Sequence, residues 1–70
     1  MEYNERIREL RENARKTQTE IAKILGTTQS YYSEYELGKR ELPIKHLIKL
    51  CKYYKVSADY ILSLDIKKAP

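Results

Sequence analysis

Residues 28–36, TQSYYSEYE, place several hydrogen-bonding side chains within one short segment. The Gln29 amide donates and accepts at once, which suits a bidentate pair with N6 and N7 of adenine, worth roughly 1–3 kcal/mol of discrimination. The Ser30 hydroxyl is less selective because it can either donate or accept. Glu34 offers only acceptors when ionised, so its natural partner on a base edge is the N4 amino group of cytosine. This segment therefore has the chemistry to read base pairs, provided that a scaffold presents these side chains outward.

The residues before and within this segment predict that scaffold. Thr17 and Glu20 have the spacing of a capping box, which predicts a helix start at Thr17. Gly26 follows the last apolar residue of that helix, where a left-handed position favours glycine. Thr28 can cap a second helix, whose inner face carries two tyrosines three residues apart, Tyr32 and Tyr35. Two short helices with this corner predict a helix-turn-helix, whose second helix is the kind that enters a DNA major groove.

Three further helices are predicted outside this pair. The first covers residues 3–14 with Asn4 as a candidate cap, the fourth has Pro43 in its first turn, and the fifth is capped by Ser57. His46 is expected on the surface. The side chains expected on buried faces are Ile7, Leu10, Ala14, Ile21, Ala22, Ile24, Leu25, Tyr32, Tyr35, Ile44, Leu47, Leu50, Cys51, Tyr54, Tyr60, Ile61 and Leu64.

The composition favours one small helical domain. The chain has 70 residues, only 2 Gly and 2 Pro, and 34% charged side chains of both signs. Few helix breakers and short connections predict an all-α fold, a compact five-helix bundle that includes the helix-turn-helix. We expect this domain to cover residues 1–64 and to be followed by a flexible C-terminal tail, residues 65–70.

The same composition excludes several classes of function. One Cys and one His cannot form a disulfide framework or an ordinary zinc site, so no metal and no cofactor are expected. Paired carboxylates, a nucleophile–base pair and a phosphate loop are all missing, so we expect no catalytic residues, no small-molecule substrate and no enzyme. No apolar run spans a membrane and no signal peptide is visible, which predicts a cytoplasmic chain. The net charge of +4 suits a polyanionic partner without requiring one.

The sequence resembles the Cro and phage-repressor (XRE-type) family of helix-turn-helix DNA-binding proteins. The resemblance covers roughly residues 5–62 of this single-domain chain. It is carried by TQTEIAKILG from Thr17, by the Y-x-x-Y-E-x-G-K-R-E-x-P run from Tyr32, and by VSADYIL from Val56. It implies a lambda-repressor-like DNA-binding domain from a bacterial or phage transcriptional regulator, which we expect to be a repressor.

The resemblance also implies roles for individual residues. Gln18 matches a residue that meets a DNA phosphate at a helix start, and Lys39 and Arg40 match the loop that follows the DNA backbone. Tyr31 is expected beside the groove, where it can pack on sugar or reach phosphate. The positions that match groove-facing, base-contacting residues are Thr28, Gln29, Ser30 and Glu34.

Two other positions concern the scaffold. Arg11 and Glu36 match a pair that often forms a buried salt bridge between the first and third helices of the family. Lys55 stands where relatives often have Gly or Asn at a helix end, so a left-handed backbone there would carry strain.

These expectations lead to two function hypotheses. The first is a regulator that binds a two-fold operator in double-stranded DNA, with half-sites about 34–36 Å apart and two copies that pair in solution or only on DNA. The second is a protein-interaction module on the same scaffold, such as an antitoxin or anti-repressor. Glu34 and the absence of Arg and Lys from residues 29–36 favour the second modestly. Salt dependence distinguishes them, because phosphate binding weakens steeply with ionic strength.

Overall fold

The structure, a computed structural model, describes residues 1–64 and contains five α-helices in that range. The predicted flexible tail, residues 65–70, lies outside the described residues. No strand occurs within the described part of the chain, so the all-α, five-helix prediction is confirmed. None of the five helices is long and apolar enough to cross a membrane. The helices are α1 (Tyr3–Asn13), α2 (Gln18–Leu25), α3 (Gln29–Glu36), α4 (Ile44–Tyr54) and α5 (Ala58–Leu62).

The predicted caps of three helices are present. Thr17 Oγ1 accepts a hydrogen bond from Glu20 N at 3.1 Å, and the Glu20 carboxylate accepts one from Thr17 N at 2.9 Å. Thr28 Oγ1 accepts from the N–H of the third residue of α3 at 3.2 Å, and Ser57 caps α5 in the same way at 3.1 Å. Because each cap satisfies an otherwise unpaired helix N–H, these local residues set where α2, α3 and α5 begin.

The cap of α1 differs from the prediction. Glu2 is the N-cap of this helix, and its N–H donates to Glu5 Oε1 at 3.2 Å. Asn4 lies inside the first turn, and its Nδ2 donates to the carbonyl oxygen of Glu36 at 3.3 Å. Asn4 therefore ties α1 to the end of α3 and does not cap its own helix.

Gly26 makes the corner between α2 and α3. Its φ of 77° lies in the left-handed region, and the N–H of Thr27 closes the turn on the Ala22 carbonyl at 2.9 Å. Lys49 Nζ, on α4, donates to the Leu25 carbonyl at 3.4 Å. The end of α2 thus has both the glycine that its backbone needs and a cation near its exposed carbonyls.

The core lies between the helices and is built mainly from predicted positions. Tyr32 and Tyr35 are 0% and 2% exposed, and their rings pack edge to face with centroids 6.2 Å apart. The other buried apolar residues are Ile7, Ile21, Ala22, Leu25, Leu50 and Ile61.

The buried face of α4 is the predicted one at Leu47, Leu50, Cys51 and Tyr54, which are buried or packed against the core, but the prediction is wrong at two other positions. Ile44 is 74% exposed, because Pro43 is the N-cap and Ile44 only begins the helix. His46, expected on the surface, is 7% exposed, and its Nδ1 lies 3.2 Å from the Tyr35 hydroxyl. Burial lowers the pKa of His46, and the nearby Lys45 and Lys49 charges lower it further. A ring held neutral in this way can share the apolar interior with a tyrosine.

Four other predicted core positions are at the surface. Ala14 is exposed because it is the C-cap of α1, beyond the last packed turn. Ile24 and Tyr60 are also exposed, since their helices place them beside the buried stripe and not on it, and Leu64 is exposed beyond the end of α5. Tyr60 is covered on one side by Arg6, whose Cζ lies 4.2 Å from the ring centre.

Lys55 ends α4 with the predicted left-handed backbone, at φ 58° and ψ 47°. A residue other than glycine costs about 1–2 kcal/mol in this backbone region. Glycine removes that cost, but the greater flexibility that it gives the unfolded chain offsets part of the gain. We therefore expect Lys55→Gly to raise the free energy of unfolding by about 0.5–1 kcal/mol in urea titrations. Lys52→Gly, inside the same helix, is the control and should lower it by about 0.5–1 kcal/mol. Equal losses in both variants would contradict the strain at Lys55.

Candidate nucleic-acid interface

Helix α3 has two distinct faces. Tyr32 and Tyr35 are buried behind it, whereas the first residues of the helix point outward. Tyr31 is 47% exposed beside them. The exposed polar residues at the start of the helix are Thr28, Gln29 and Ser30. The structure therefore presents the hydrogen-bonding edge that the sequence led us to expect, with its tyrosines as the anchor.

An ion pair connects α3 to α1. Arg11 Nε and Nη2 donate to the two carboxylate oxygens of Glu36 at 2.6 and 3.1 Å. The side chains are 14% and 3% exposed, respectively. Arg11 Nη1 also donates to the Lys16 carbonyl at 2.9 Å, so the guanidinium holds the connection between α1 and α2 as well. This pair fixes the C-terminal end of α3 against α1.

The Glu36 carboxylate stays ionised despite its burial. Desolvation raises its pKa, but hydrogen bonds from Arg11 and Gln18, together with the nearby Tyr32 hydroxyl, outweigh that effect and lower the pKa overall. The Tyr32 hydroxyl lies near enough to favour the carboxylate, although it makes no hydrogen bond of good geometry within the described residues. Glu36 is therefore a fixed negative charge at the centre of a polar cluster.

Gln18 links this cluster to the surface. Its Nε2 donates to Glu36 Oε1 at 3.0 Å, and its Oε1 accepts from Gln29 Nε2 at 2.6 Å. A continuous chain of hydrogen bonds thus runs from Arg11 through Glu36 and Gln18 to Gln29. One Gln29 amide hydrogen is used in this chain, and Gln29 is exposed, so its second amide hydrogen and its oxygen have no hydrogen-bond partner within residues 1–64. The predicted reader of base edges is consequently oriented before any partner arrives.

Sequence reasoning missed a second cluster on α3. Arg40 Nε donates to Glu34 Oε1 at 2.8 Å, and Arg40 Cζ lies 4.2 Å from the centre of the Tyr31 ring. The sequence had assigned these three residues to separate contacts. The residue that could have predicted the Arg40–Glu34 pair is Gly38, whose φ of 73° turns the chain back toward α3. The N–H of Lys39 then donates to the Glu34 carbonyl at 2.9 Å.

Residues 7–61 match the family model described as Helix-turn-helix. The chain belongs to the helix-turn-helix family. This matches the resemblance seen in the sequence, and the match spans all of α2, α3 and α4. No group of three or more potential metal ligands occurs within residues 1–64 of this helix-turn-helix protein.

Its relatives include regulators from Bacillus subtilis (strain 168). The chain is 37% identical over 62 residues to the uncharacterized HTH-type transcriptional regulator YobD, an alignment that covers 89% of this chain and 55% of YobD. It is also 37% identical over 65 residues to the HTH-type transcriptional regulator ImmR, covering 93% of this chain and 51% of ImmR. The helix-turn-helix chain thus spans about half the length of these curated relatives.

A solved structure shares the whole architecture. The P22 c2 repressor protein, crystallised in complex with the synthetic operator 9T in the presence of Tl⁺, superimposes with a TM-score of 0.83 at 29% identity. The superposition covers 93% of this chain and 98% of that one. The fold of this helix-turn-helix protein is therefore that of a phage repressor domain.

Proposed function

We propose that the chain binds double-stranded DNA sequence-specifically and acts as a transcriptional regulator, in particular a repressor. The observation that carries this proposal is the outward face of α3, where the Gln29 amide is held by a hydrogen-bond chain that runs from Arg11 through the buried Glu36 and Gln18. The regulators named above and the P22 c2 repressor, solved with its operator, support it. Helix α3 enters the major groove, and the bound protein blocks access to the site.

The base-reading contacts come from the start of α3. Gln29 pairs with N6 and N7 of adenine, so A·T pairs matter in each half-site. Ser30 is exposed next to it and gives a less selective hydrogen bond. Thr28 uses its hydroxyl to cap α3, which leaves its methyl group to contact a thymine methyl.

The phosphate contacts flank these residues. Gln18 is the first residue of α2, where the unpaired N–H groups and the helix dipole favour a phosphate. Lys39 is exposed in the loop after α3, and Tyr31 is exposed on the helix itself. The net charge of +4 supports this arrangement. Lys39 and the N-terminus of α2 then contact DNA phosphates on the two sides of the major groove.

Two copies would occupy a two-fold operator. The half-sites are expected about 34–36 Å apart, or a multiple of that spacing, so that both α3 helices enter the groove from one side of the duplex. The copies pair in solution or on the DNA. Such a regulator works in the bacterial cytoplasm, where the DNA is.

The alternative, a protein-interaction module such as an antitoxin, loses its main argument in the structure. That argument was the negative charge of Glu34 on a surface meant for DNA, beside the absence of Arg and Lys from residues 29–36, which still holds. Glu34 is paired with Arg40 at 2.8 Å, so the outward face of α3 carries no isolated carboxylate there.

The proposal is tested by selection of sites from random duplex DNA, followed by titrations of the best site at several salt concentrations. We expect one sequence to be enriched and log affinity to fall linearly with log salt, with a slope of about −0.9 for each phosphate contacted. Enrichment of no sequence, together with a flat salt dependence, would contradict DNA binding.

Gln29→Ala tests the reader itself. Loss of the amide should cost about 1–3 kcal/mol at one A·T position of the selected site and little at the others. The measurement is affinity for the full set of single base-pair substitutions. Asn13→Ala, which removes an exposed amide from the end of α1, is the control and should leave every affinity unchanged. A Gln29→Ala loss spread evenly over all substitutions would contradict base reading.

A further inference from the structure

We propose that Arg40 reads a guanine in the half-site and that Glu34 is the positioning residue that aims it. The inference rests on the proposed DNA binding and names a second base that the site requires. It replaces two separate contacts, Arg40 to phosphate and Glu34 to cytosine, with one unit formed by Tyr31, Glu34 and Arg40.

The guanidinium of Arg40 is constrained in two directions. Glu34 holds its Nε at 2.8 Å, and the Tyr31 ring lies against one face with its centre 4.2 Å from Cζ. Tyr31 and Glu34 stand three residues apart on α3, so they are neighbours on one side of the helix. Arg40, which lies in the loop after α3, is thereby held against the surface of α3. These two contacts fix the plane of its guanidinium, which the flexible side chain alone would not do.

The free edge of this guanidinium has the right chemistry for guanine. No acceptor within residues 1–64 bonds to Nη1 or Nη2 of Arg40, so their four N–H donors remain unused, with one from each nitrogen on the edge that the two share. Two of them match the O6 and N7 acceptors of guanine, which is the commonest specific contact in the major groove. Residues 29–36 contain no Arg or Lys, so Arg40 supplies the donor fork that α3 itself lacks.

Charge favours the base over the backbone. Glu34 neutralises Arg40, which makes the pair a weak attractor for a phosphate. The carboxylate would also be repelled by the phosphates if the pair lay along the DNA backbone. A base edge is neutral overall, and a hydrogen bond to it depends on well-fixed donors. The ion pair with Glu34 and the Tyr31 ring fix the donors of Arg40 in this way. The unit of Tyr31, Glu34 and Arg40 is therefore better suited to contact a base edge than the phosphate backbone.

The test uses the full chain and the site that wild type selects from random duplex DNA. Arg40→Lys keeps the charge but removes the planar fork. We expect wild type to prefer G at one position by about 5- to 150-fold and Arg40→Lys to lose that preference alone. Lys39→Ala is the matched control from the same loop, and it should weaken all sequences evenly and reduce the salt slope by about 1.

Replacing the selected guanine with 7-deazaguanine separates Arg40 from Glu34. The modified base lacks the N7 acceptor, whereas its cytosine partner keeps N4. We expect wild type to lose affinity on this duplex and Arg40→Lys to be unaffected by the change. Glu34→Gln should reduce the same guanine preference, and its effect should not add to that of Arg40→Lys. Both side chains are at the surface, 45% and 38% exposed, so circular dichroism should show unchanged folding.

The outcomes separate this inference from the function on which it rests. An Arg40→Lys variant that keeps the full guanine preference, or a 7-deazaguanine duplex that binds wild type normally, overturns the role of Arg40 and leaves DNA binding intact. A wild-type chain that enriches no sequence overturns the proposed function itself.

Discussion

Arg11→Ala is expected to lower the free energy of unfolding by about 3–5 kcal/mol at neutral pH. The substitution leaves Glu36, whose side chain is 3% exposed, as a buried charge without its bidentate partner. It also frees the Lys16 carbonyl, which Arg11 holds at 2.9 Å. A 70-residue protein has a total stability on the order of 3.5–10 kcal/mol, so this loss is a large fraction of it. Urea denaturation followed by circular dichroism measures the change.

Two variants serve as controls for this result. Arg8→Ala removes an arginine from the same helix, but its partner Glu12 is 53% exposed and the pair is solvated, so the loss should stay below about 1 kcal/mol. Replacing both Arg11 and Glu36 with Met removes the buried charges together and should cost less than Arg11→Ala alone. An Arg11→Ala variant as stable as Arg8→Ala would show that the pair has no structural role.

The same substitution should invert the pH dependence of stability that Glu36 contributes. In the wild type the pKa of Glu36 lies below its ordinary 4.5, so its stabilising effect is complete above that value and is lost as pH falls through the lower folded pKa. Without Arg11, we expect burial to outweigh the remaining hydrogen bond from Gln18 and to raise the pKa of Glu36 above its ordinary value. The variant should then approach the stability of the wild type as pH falls from neutral toward the ordinary value of 4.5, because protonation removes the buried charge.

Tyr32→Ala should have an effect of similar size, with a loss of about 3–5 kcal/mol. The ring is fully buried and packs at 89° to the ring of Tyr35, so truncation opens a cavity directly behind α3. Because this ring holds α3 against the rest of the core, sequence-specific binding should be lost as well. Thermal and urea unfolding measure the first effect, and titration of the selected DNA site measures the second.

Tyr32→Phe separates the ring from its hydroxyl. The hydroxyl is buried and makes no hydrogen bond of good geometry within residues 1–64, so its removal should change stability by less than about 1 kcal/mol. DNA binding should also persist. If the Ala variant were as stable as the Phe variant, the tyrosine would not be an anchor of α3.

Much of the fold could be predicted because its signals are local. Thr17, Thr28 and Ser57 cap helices through residues three positions ahead, and Gly26 turns the chain by its own φ. The tyrosine spacing on α3 gave its buried face for the same reason. These interactions depend on neighbours in sequence, so the residue types and their intervals were sufficient.

What the sequence did not reveal comes mostly from contacts between distant segments. His46 is a polar residue that the apolar pattern of α4 excluded, yet the hydroxyl of Tyr35 gives it a partner inside the protein. The approach of Arg40 to Glu34 depends on the path of the loop after Gly38, which no periodicity encodes. Gln18 and Gln29 were each assigned outward roles, and their mutual hydrogen bond follows from how α2 and α3 cross.

The hydrogen-bond chain that ends at Gln29 has a consequence for protein engineering. Its first member, Arg11, lies on α1, outside the helix-turn-helix itself. A peptide cut to residues 17–37 would keep Gln18 and Gln29 but would lose Lys39 and Arg40, and it would leave the Glu36 carboxylate without the cation that secures it. Transferring α2 and α3 into another protein therefore requires a host that supplies an arginine to pair with the Glu36 carboxylate.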